Sequence, residues 1–249
     1  MKSAMTGVFG ETRTRVEARH ALIADDGHVP SVLPGFESAT PYILIAPPLS
    51  RSFSQILIRF ADGGRAGFRA DGIETAFYVQ SGTVRVSAGA ADSELGAGGF
   101  GFCPAGSSLS FVSDDAVVTC FRKTFVPQGE APVPLFGNAA DVPAVPFLGN
   151  PKALLRTLLP DHLGFDLGMN VFTYAPGATL PFVETHIMEH GLLMLAGQGV
   201  YRLEDRYYPV RAGDVIWMAP WCPQWFVAMG DEPASYLYYK DVNRSADPE

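Results

Sequence analysis

Glu184, His186 and His190 fall within seven residues, spaced E-x-H-x3-H, in a chain of 249 residues that holds only five histidines. Carboxylate and imidazole are good ligands for divalent metal ions, so this stretch is the first place to expect chemistry. In an extended strand Glu184 and His186 project to one face, and a short turn returns His190 to the same interior. The bland alternative is a row of solvated polar residues. The apolar flanks Pro181-Phe182-Val183 and Leu192-Leu193-Met194-Leu195 argue against it. His186-Ile187-Met188-Glu189-His190 also spells H-x-x-E-H, the inverted zinc-peptidase motif, which needs both histidines on one helical turn. Gly191, the Gly197-Gln198-Gly199 turn and the alternation resumed at Tyr201-Arg202-Leu203 favour strands instead. Glu189, the base of such a peptidase, is then expected to matter less than Glu184.

The rest of the chain must build a frame for these residues. With 47% hydrophobic and 18% charged residues, 26 Gly and 20 Pro, the composition is that of a turn-rich globular protein. A net charge of −8 without a Lys/Arg cluster argues against nucleic acid. No apolar run reaches the roughly 20 residues of a membrane helix, and the first residues lack a signal-peptide core. Cys103, Cys120 and Cys222 have no C-x-x-C spacing, which suits packed thiols in a reducing, cytoplasmic setting.

Residues 1–37 read as an irregular arm. From Tyr42 the chain runs in short β-branched and aromatic segments bounded by turn residues, and Thr83 to Ser87 alternates as a half-buried antiparallel strand. A first barrel is expected over 38–127, a Pro-rich linker over 128–160 with a short helical turn near Ala153 to Leu159, a second barrel over 161–243, and a frayed tail over 244–249. The halves repeat: Gly82 to Gly197 and Gly98 to Gly213 are both shifts of 115 residues. A constant offset at two landmarks means duplicated domains, each a small antiparallel barrel or jelly roll. Duplicated sheets and an arm point to a homo-oligomer.

Over residues 40 to 243 both halves resemble cupin barrels, which carry a G…H-x-H…E…G pattern followed by a G…P-x-G…H pattern. The implied fold is all-β, two tandem cupin domains. In the second half Glu184 stands at the first His position, His186 keeps the second, His190 replaces the Glu, and Gln224, eleven residues after Gly213, replaces the last His. Trp221 and Cys222 follow Pro220 where Pro-x-Gly belongs, a departure from the pattern. In the first half the matching positions hold Arg69, Asp71, Thr75 and Leu109, which cannot bind a metal. Glu184, two imidazoles and an amide oxygen suit Mn2+, with Fe2+ or Zn2+ as alternatives, and keep net positive charge for an anionic, chelating substrate. Tyr236 and Lys240 share a strand parity, and Lys240 suits a substrate carboxylate. A solvated strand-end lysine is the plain alternative, and packing is the plain role for Tyr201, Tyr207 and Tyr208.

The order E-T-H-x-x-E-H-G, the turn Gly197-Gln198-Gly199-Val200-Tyr201, the closing S-Y-x-Y-x-K-D-x-N-R, Leu33-Pro34-Gly35-Phe36-Glu37 and Gly72-Ile73-Glu74-Thr75 together resemble the (S)-ureidoglycine aminohydrolases, bicupin enzymes of purine catabolism. That resemblance implies a manganese-dependent hydrolase that turns (S)-ureidoglycine into (S)-ureidoglycolate and ammonia during allantoin degradation. It implies Glu184, His186, His190 and Gln224 as metal ligands, and Tyr236 and Lys240 as substrate contacts with catalytic candidacy alongside Glu184. Glu184, Gln224 and Tyr201 are further substrate-binding candidates. A metal-dependent cupin oxygenase and a non-enzymatic ligand-binding cupin are the other classes this sequence admits.

Overall fold

The computed structural model describes residues 12–243; the expected tail and the first eleven residues of the expected arm lie outside them. The regular elements of the described chain are strands apart from two short 3-10 turns, Asp25–Gly27 and Ala139–Asp141, as its β-branched and aromatic runs predict. It divides into two compact units. The first comprises Val29–Val142 and Leu158–Leu167; the second comprises Pro143–Thr157, the chain from Gly168 onward and the residues before Val29.

In the first unit the strand Phe53–Phe68 does two jobs. Its first half pairs with Val117–Thr124 and its second half with Leu109–Ser113, so one strand turns the corner of the sheet. The bend falls at Gly63, whose φ of +67° suits glycine. Val84–Ala88 alternates inward Val84, Val86 and Ala88 with outward Arg85, as its sequence predicts. These inward residues join Phe77, Val79, Phe111 and Val118 in the core.

The second unit sets an eight-stranded sheet against a three-stranded one made of Gln198–Leu203, Arg206–Arg211 and Gln224–Met229. Aromatic rings fill the space between them, with Phe226 edge-on to Tyr236 at 5.4 Å. Full burial of a ring of this size is worth roughly 1.5–3 kcal/mol. The repeated landmarks keep matching backbone: Gly82 and Gly197 have φ of +72° and +70°, and Gly98 and Gly213 of +83° and +93°. At Gly82 a Cβ would stand 2.7 Å from the Ala116 Cα, so the turn excludes other residues.

Three expectations change. The supposed irregular arm contains His20–Ile23, which pairs with Val215–Met218 and is fully buried. Its Ala21-Leu22-Ile23 run covers a strand edge that would otherwise stay unpaired. Arg13 secures this segment, its Nη1 and Nη2 donating to the buried Asp214 carboxylate at 2.8 and 2.6 Å. The stretch 128–160 is sheet rather than an extended linker. Leu135–Asn138 pairs with Gly99–Cys103, and Val145–Phe147 pairs with Asn150–Thr157, leaving Pro146 on an edge strand where its missing N–H is tolerated. The helical turn near Ala153 is part of that last strand, which is paired on both sides, so sheet pairing overrides the helix preference of Ala-Leu-Leu-Arg.

Candidate functional site

His190 opens the strand His190–Ala196, paired with Met218 on one side and Lys240 on the other. Glu184 and His186 do not belong to a regular strand, contrary to the reading from their spacing. The segment from Thr179 runs beside Gln224–Met229, but Pro181 has no N–H to continue a ladder, and the chain bulges before rejoining at Glu184. There the Glu184 and Gln224 backbones exchange two hydrogen bonds of 2.8 and 2.9 Å, and the His186 carbonyl accepts from the Trp221 amide at 2.7 Å. Convergence is therefore achieved by a pinned loop and not by strand alternation.

The two imidazoles are adjacent and tilted, with ring centroids 4.4 Å apart at an interplanar angle of 38°. The Gln224 amide nitrogen stands 3.0 Å from His186 Nε2 and 3.5 Å from His190 Nδ1. With Glu184, Tyr201, Tyr236 and Lys240 these residues line a single cavity of about 250 Å3. All seven residues singled out from the sequence thus meet in one place. The volume suits a small molecule of about ten heavy atoms.

Burial dominates the electrostatics. It pushes Glu184 up, with Lys240 partly opposing. It pushes His186 down, reinforced by the Lys240 charge, and holds His190 well below the ordinary histidine value, with His186 and Lys240 adding to the effect. Both imidazoles are therefore neutral near pH 7 and offer lone pairs. Tyr201 and Tyr236 are raised well above the usual phenol value, first by burial, so both keep their protons. Lys240 forms no ion pair with any described residue and brings a positive charge to the cavity.

These groups fit a divalent metal by an observation of their own. His186 Nδ1 and His190 Nε2 are buried with no hydrogen-bond partner, a costly state for neutral imidazoles unless something else satisfies them. Among the described residues no three His, Cys, Asp or Glu side chains form a completed ligand cluster. The donors here are two imidazoles, a carboxylate on the same cavity wall and an amide, so closing the set requires movement of Glu184 and a turn of the Gln224 amide. That amide presents its nitrogen to the imidazoles because its oxygen accepts from Tyr201 Oη at 3.0 Å. A half-turn would present the oxygen and let the amide nitrogen donate to Tyr201.

Glu189 is turned away from this cavity and accepts from Trp217 Nε1 at 2.6 Å, and no α-helix exists among the described residues to make H-x-x-E-H a peptidase site. Spacing did not reveal Phe147, Phe172 and Tyr238, which with Met188 and Leu192 complete the wall. Tyr238 was legible, since it sits between Tyr236 and Lys240 at the same parity; it stacks on His190 at 5.7 Å. Phe147 had no signal, coming from the Pro-rich stretch.

A cupin domain family model matches residues 170–239, which supply most of the cavity's lining. The (S)-ureidoglycine aminohydrolase of Escherichia coli K12 is 38% identical over 234 residues, covering 91% of this chain and 90% of that protein. The (S)-ureidoglycine aminohydrolase of Arabidopsis thaliana is 35% identical over 241 residues, covering 95% and 80%. The crystal structure of protein Ylba from E. coli superposes with a TM-score of 0.86 at 36% identity, covering 95% of this chain and 97% of that one. With a cupin domain around the cavity and this identity over nearly its whole length, the chain belongs to the (S)-ureidoglycine aminohydrolase family.

Proposed function

We propose that the second unit hydrolyses (S)-ureidoglycine to (S)-ureidoglycolate and ammonia, a step of allantoin breakdown in purine degradation, with Mn2+ held by Glu184, His186, His190 and Gln224. The observation that carries this reading is the meeting of two neutral imidazoles, each with an unpartnered buried nitrogen, with Glu184, Gln224 and the Lys240 ammonium in a 250 Å3 cavity. When bound, the ion supplies a Lewis-acid centre to which the substrate carboxylate and the group on the chiral carbon can chelate.

The chain's own residues do the rest. Lys240 pairs with the substrate carboxylate. Phe147, Phe172 and Tyr238 exclude bulk water and fix one face of the chiral carbon, which keeps the (S) configuration. In the reaction the C–N bond to the amino group breaks, a C–O bond to water forms, and the nitrogen leaves as ammonia carrying one proton from that water. Lys240, besides pairing with the carboxylate, and Tyr236, which keeps its own proton at rest and so can only relay one towards the Tyr174 hydroxyl 3.0 Å away, are the protein candidates for moving that proton.

The same reading extends to the whole chain. The first unit is a second cupin barrel, supported by the repeated glycine conformations. Self-association to a homo-oligomer is supported by the sheet edges at Arg15–Val16 and Val145–Phe147, which have no further partner among the described residues. A cytoplasmic setting is supported by three buried, unpaired cysteines, with burial raising Cys103 and Cys222 to about 11 and Cys120 to about 12. No helix among the described residues is long and apolar enough to cross a membrane.

The test is ammonia release from freshly prepared (S)-ureidoglycine above its spontaneous rate. Manganese-loaded protein should release it, while EDTA-treated protein and Glu184→Ala should not. Undiminished release by either would overturn the metal-dependent reading.

A further inference from the structure

The two units share a register that reaches beyond their glycines. In the second, His190 is paired with Lys240 on the neighbouring strand; Thr75, 115 residues before His190, is paired with Arg122 in the first. Counting back by the same shift, Glu184 and His186 correspond to Arg69 and Asp71. These residues are not scattered over the surface. Arg69, Asp71 and Arg122 line one cavity of about 480 Å3, walled by Phe36, Phe68 and Ile56.

The chemistry of this cavity is that of an anion site without metal ligands. Arg122 is only 17% exposed, its guanidinium lies 4.0 Å over the Phe68 ring centre, and its Nε donates to Thr75 Oγ1 at 3.3 Å. Stacking and this one bond fix the plane of the fork. Its approach to Asp71 is 3.7 Å, too long for a hydrogen bond, so the Nη donors stay available. Burial, partly opposed by Asp71, lowers the Arg122 pKa, as expected of a cation whose lost hydration is incompletely replaced. Arg69 makes no ion pair with any described residue. Two guanidiniums against one carboxylate leave the cavity positive within a chain of net charge −8. Phe36 and Phe68 meet edge to face at 5.6 Å and form an apolar wall beside the charges.

We infer that the cavity of the first unit binds a small organic carboxylate, its carboxylate on the forks of Arg122 and Arg69 and its apolar body against Phe36, Phe68 and Ile56. The inference is independent of the reaction assigned to the second unit. If Arg122 serves only to brace Phe68 and Asp71, no such ligand binds.

The experiment is calorimetric titration of full-length, EDTA-treated protein with benzoate, which removes capture by a metal. Saturable binding that survives Lys240→Met is expected, weakened about tenfold or more by Arg122→Met and several-fold by Arg69→Met, with the melting curve recorded for each. Lys240→Met should leave it unchanged, and benzamide, the same shape without the charge, should not compete. The inference is overturned by absence of saturable binding, by equal binding of benzamide, or by binding that Lys240→Met abolishes and Arg69→Met leaves intact. If Arg122→Met does not fold, the exposed Arg69 variant decides.

Discussion

Tyr201 donates a 3.0 Å hydrogen bond to the side-chain oxygen of Gln224, and this bond determines which end of the amide faces His186 and His190. Tyr201, read from the sequence as a packing residue or a weaker substrate contact, thus holds the amide of a proposed metal ligand, through its oxygen here and through its nitrogen after the half-turn that ligation requires. Tyr201→Phe keeps the ring and removes the tether. It should lower manganese affinity by about tenfold to a hundredfold, the usual cost of losing a group that orients a ligand. Titration of metal-free protein with Mn2+ measures it directly, and affinity equal to wild type would show that the amide is held by other means.

Lys240 should act on binding more than on the ion. Lys240→Met preserves the aliphatic stem and removes the charge proposed to meet the substrate carboxylate. One charge-assisted hydrogen bond is worth about 1.5–3 kcal/mol, so KM should rise roughly tenfold to a hundredfold. Manganese content should be unchanged. An unaltered KM with a large fall in kcat would remove the carboxylate role and leave Lys240 only its part in proton transfer.

Glu184 and Glu189 offer a paired comparison. Glu184 lines the cavity, whereas Glu189 is spent on Trp217. Glu184→Gln should abolish manganese-dependent ammonia release. Glu189→Gln retains an oxygen for Trp217 and should keep activity within a few-fold. Equal losses in both would revive a direct role for Glu189.

His20 gives a pH dependence remote from the cavity. It is fully buried between Glu204, 3.1 Å from Nδ1, and the Tyr208 hydroxyl, 2.8 Å from Nε2. Burial lowers its pKa below 6.5, outweighing the upward pull of Glu204 and Glu17, with Arg206 pushing the same way as burial. Because the unfolded chain takes up this proton first, the contribution of His20 is full above about pH 6.5 and falls as pH drops through the lowered folded value. Urea midpoints between about pH 7.5 and 5 should therefore decline more steeply for wild type than for His20→Gln. Parallel slopes would show that protonated His20 is tolerated.

The strand content, the alternation at Val84 to Ala88 and the glycine offset were legible because period and turn chemistry are local. So was the triad of Glu184, His186 and His190, whose types announce their chemistry whatever the backbone does. Gln224 needed a pattern to count along, since an isolated glutamine carries no signal. The geometry behind the triad was not legible. Period-two reasoning placed Glu184 and His186 on a strand, while Pro181 breaks the ladder and single contacts with Gln224 and Trp221 restore the aim. Residues 128–160 misled for a related reason. Prolines were counted as linker composition, but on an edge strand such as Val145–Phe147 a missing N–H costs nothing. Partners distant in the chain settled these points.

The pairing of His20–Ile23 with Val215–Met218 also sets an order of events during synthesis. The strands of the first unit are all present once Asn138 has been made, so that sheet can assemble while the ribosome is still extending the chain. His20–Ile23 is made early and must wait for Met218, through almost 200 further residues, before its partner exists. At about 5–20 residues per second that is a delay of roughly ten to forty seconds, during which an apolar strand has no native place to go. Its four-residue length limits what it can pair with in the interval. The second unit, and the cavity within it, therefore closes late in synthesis, when two strands almost 200 residues apart are joined.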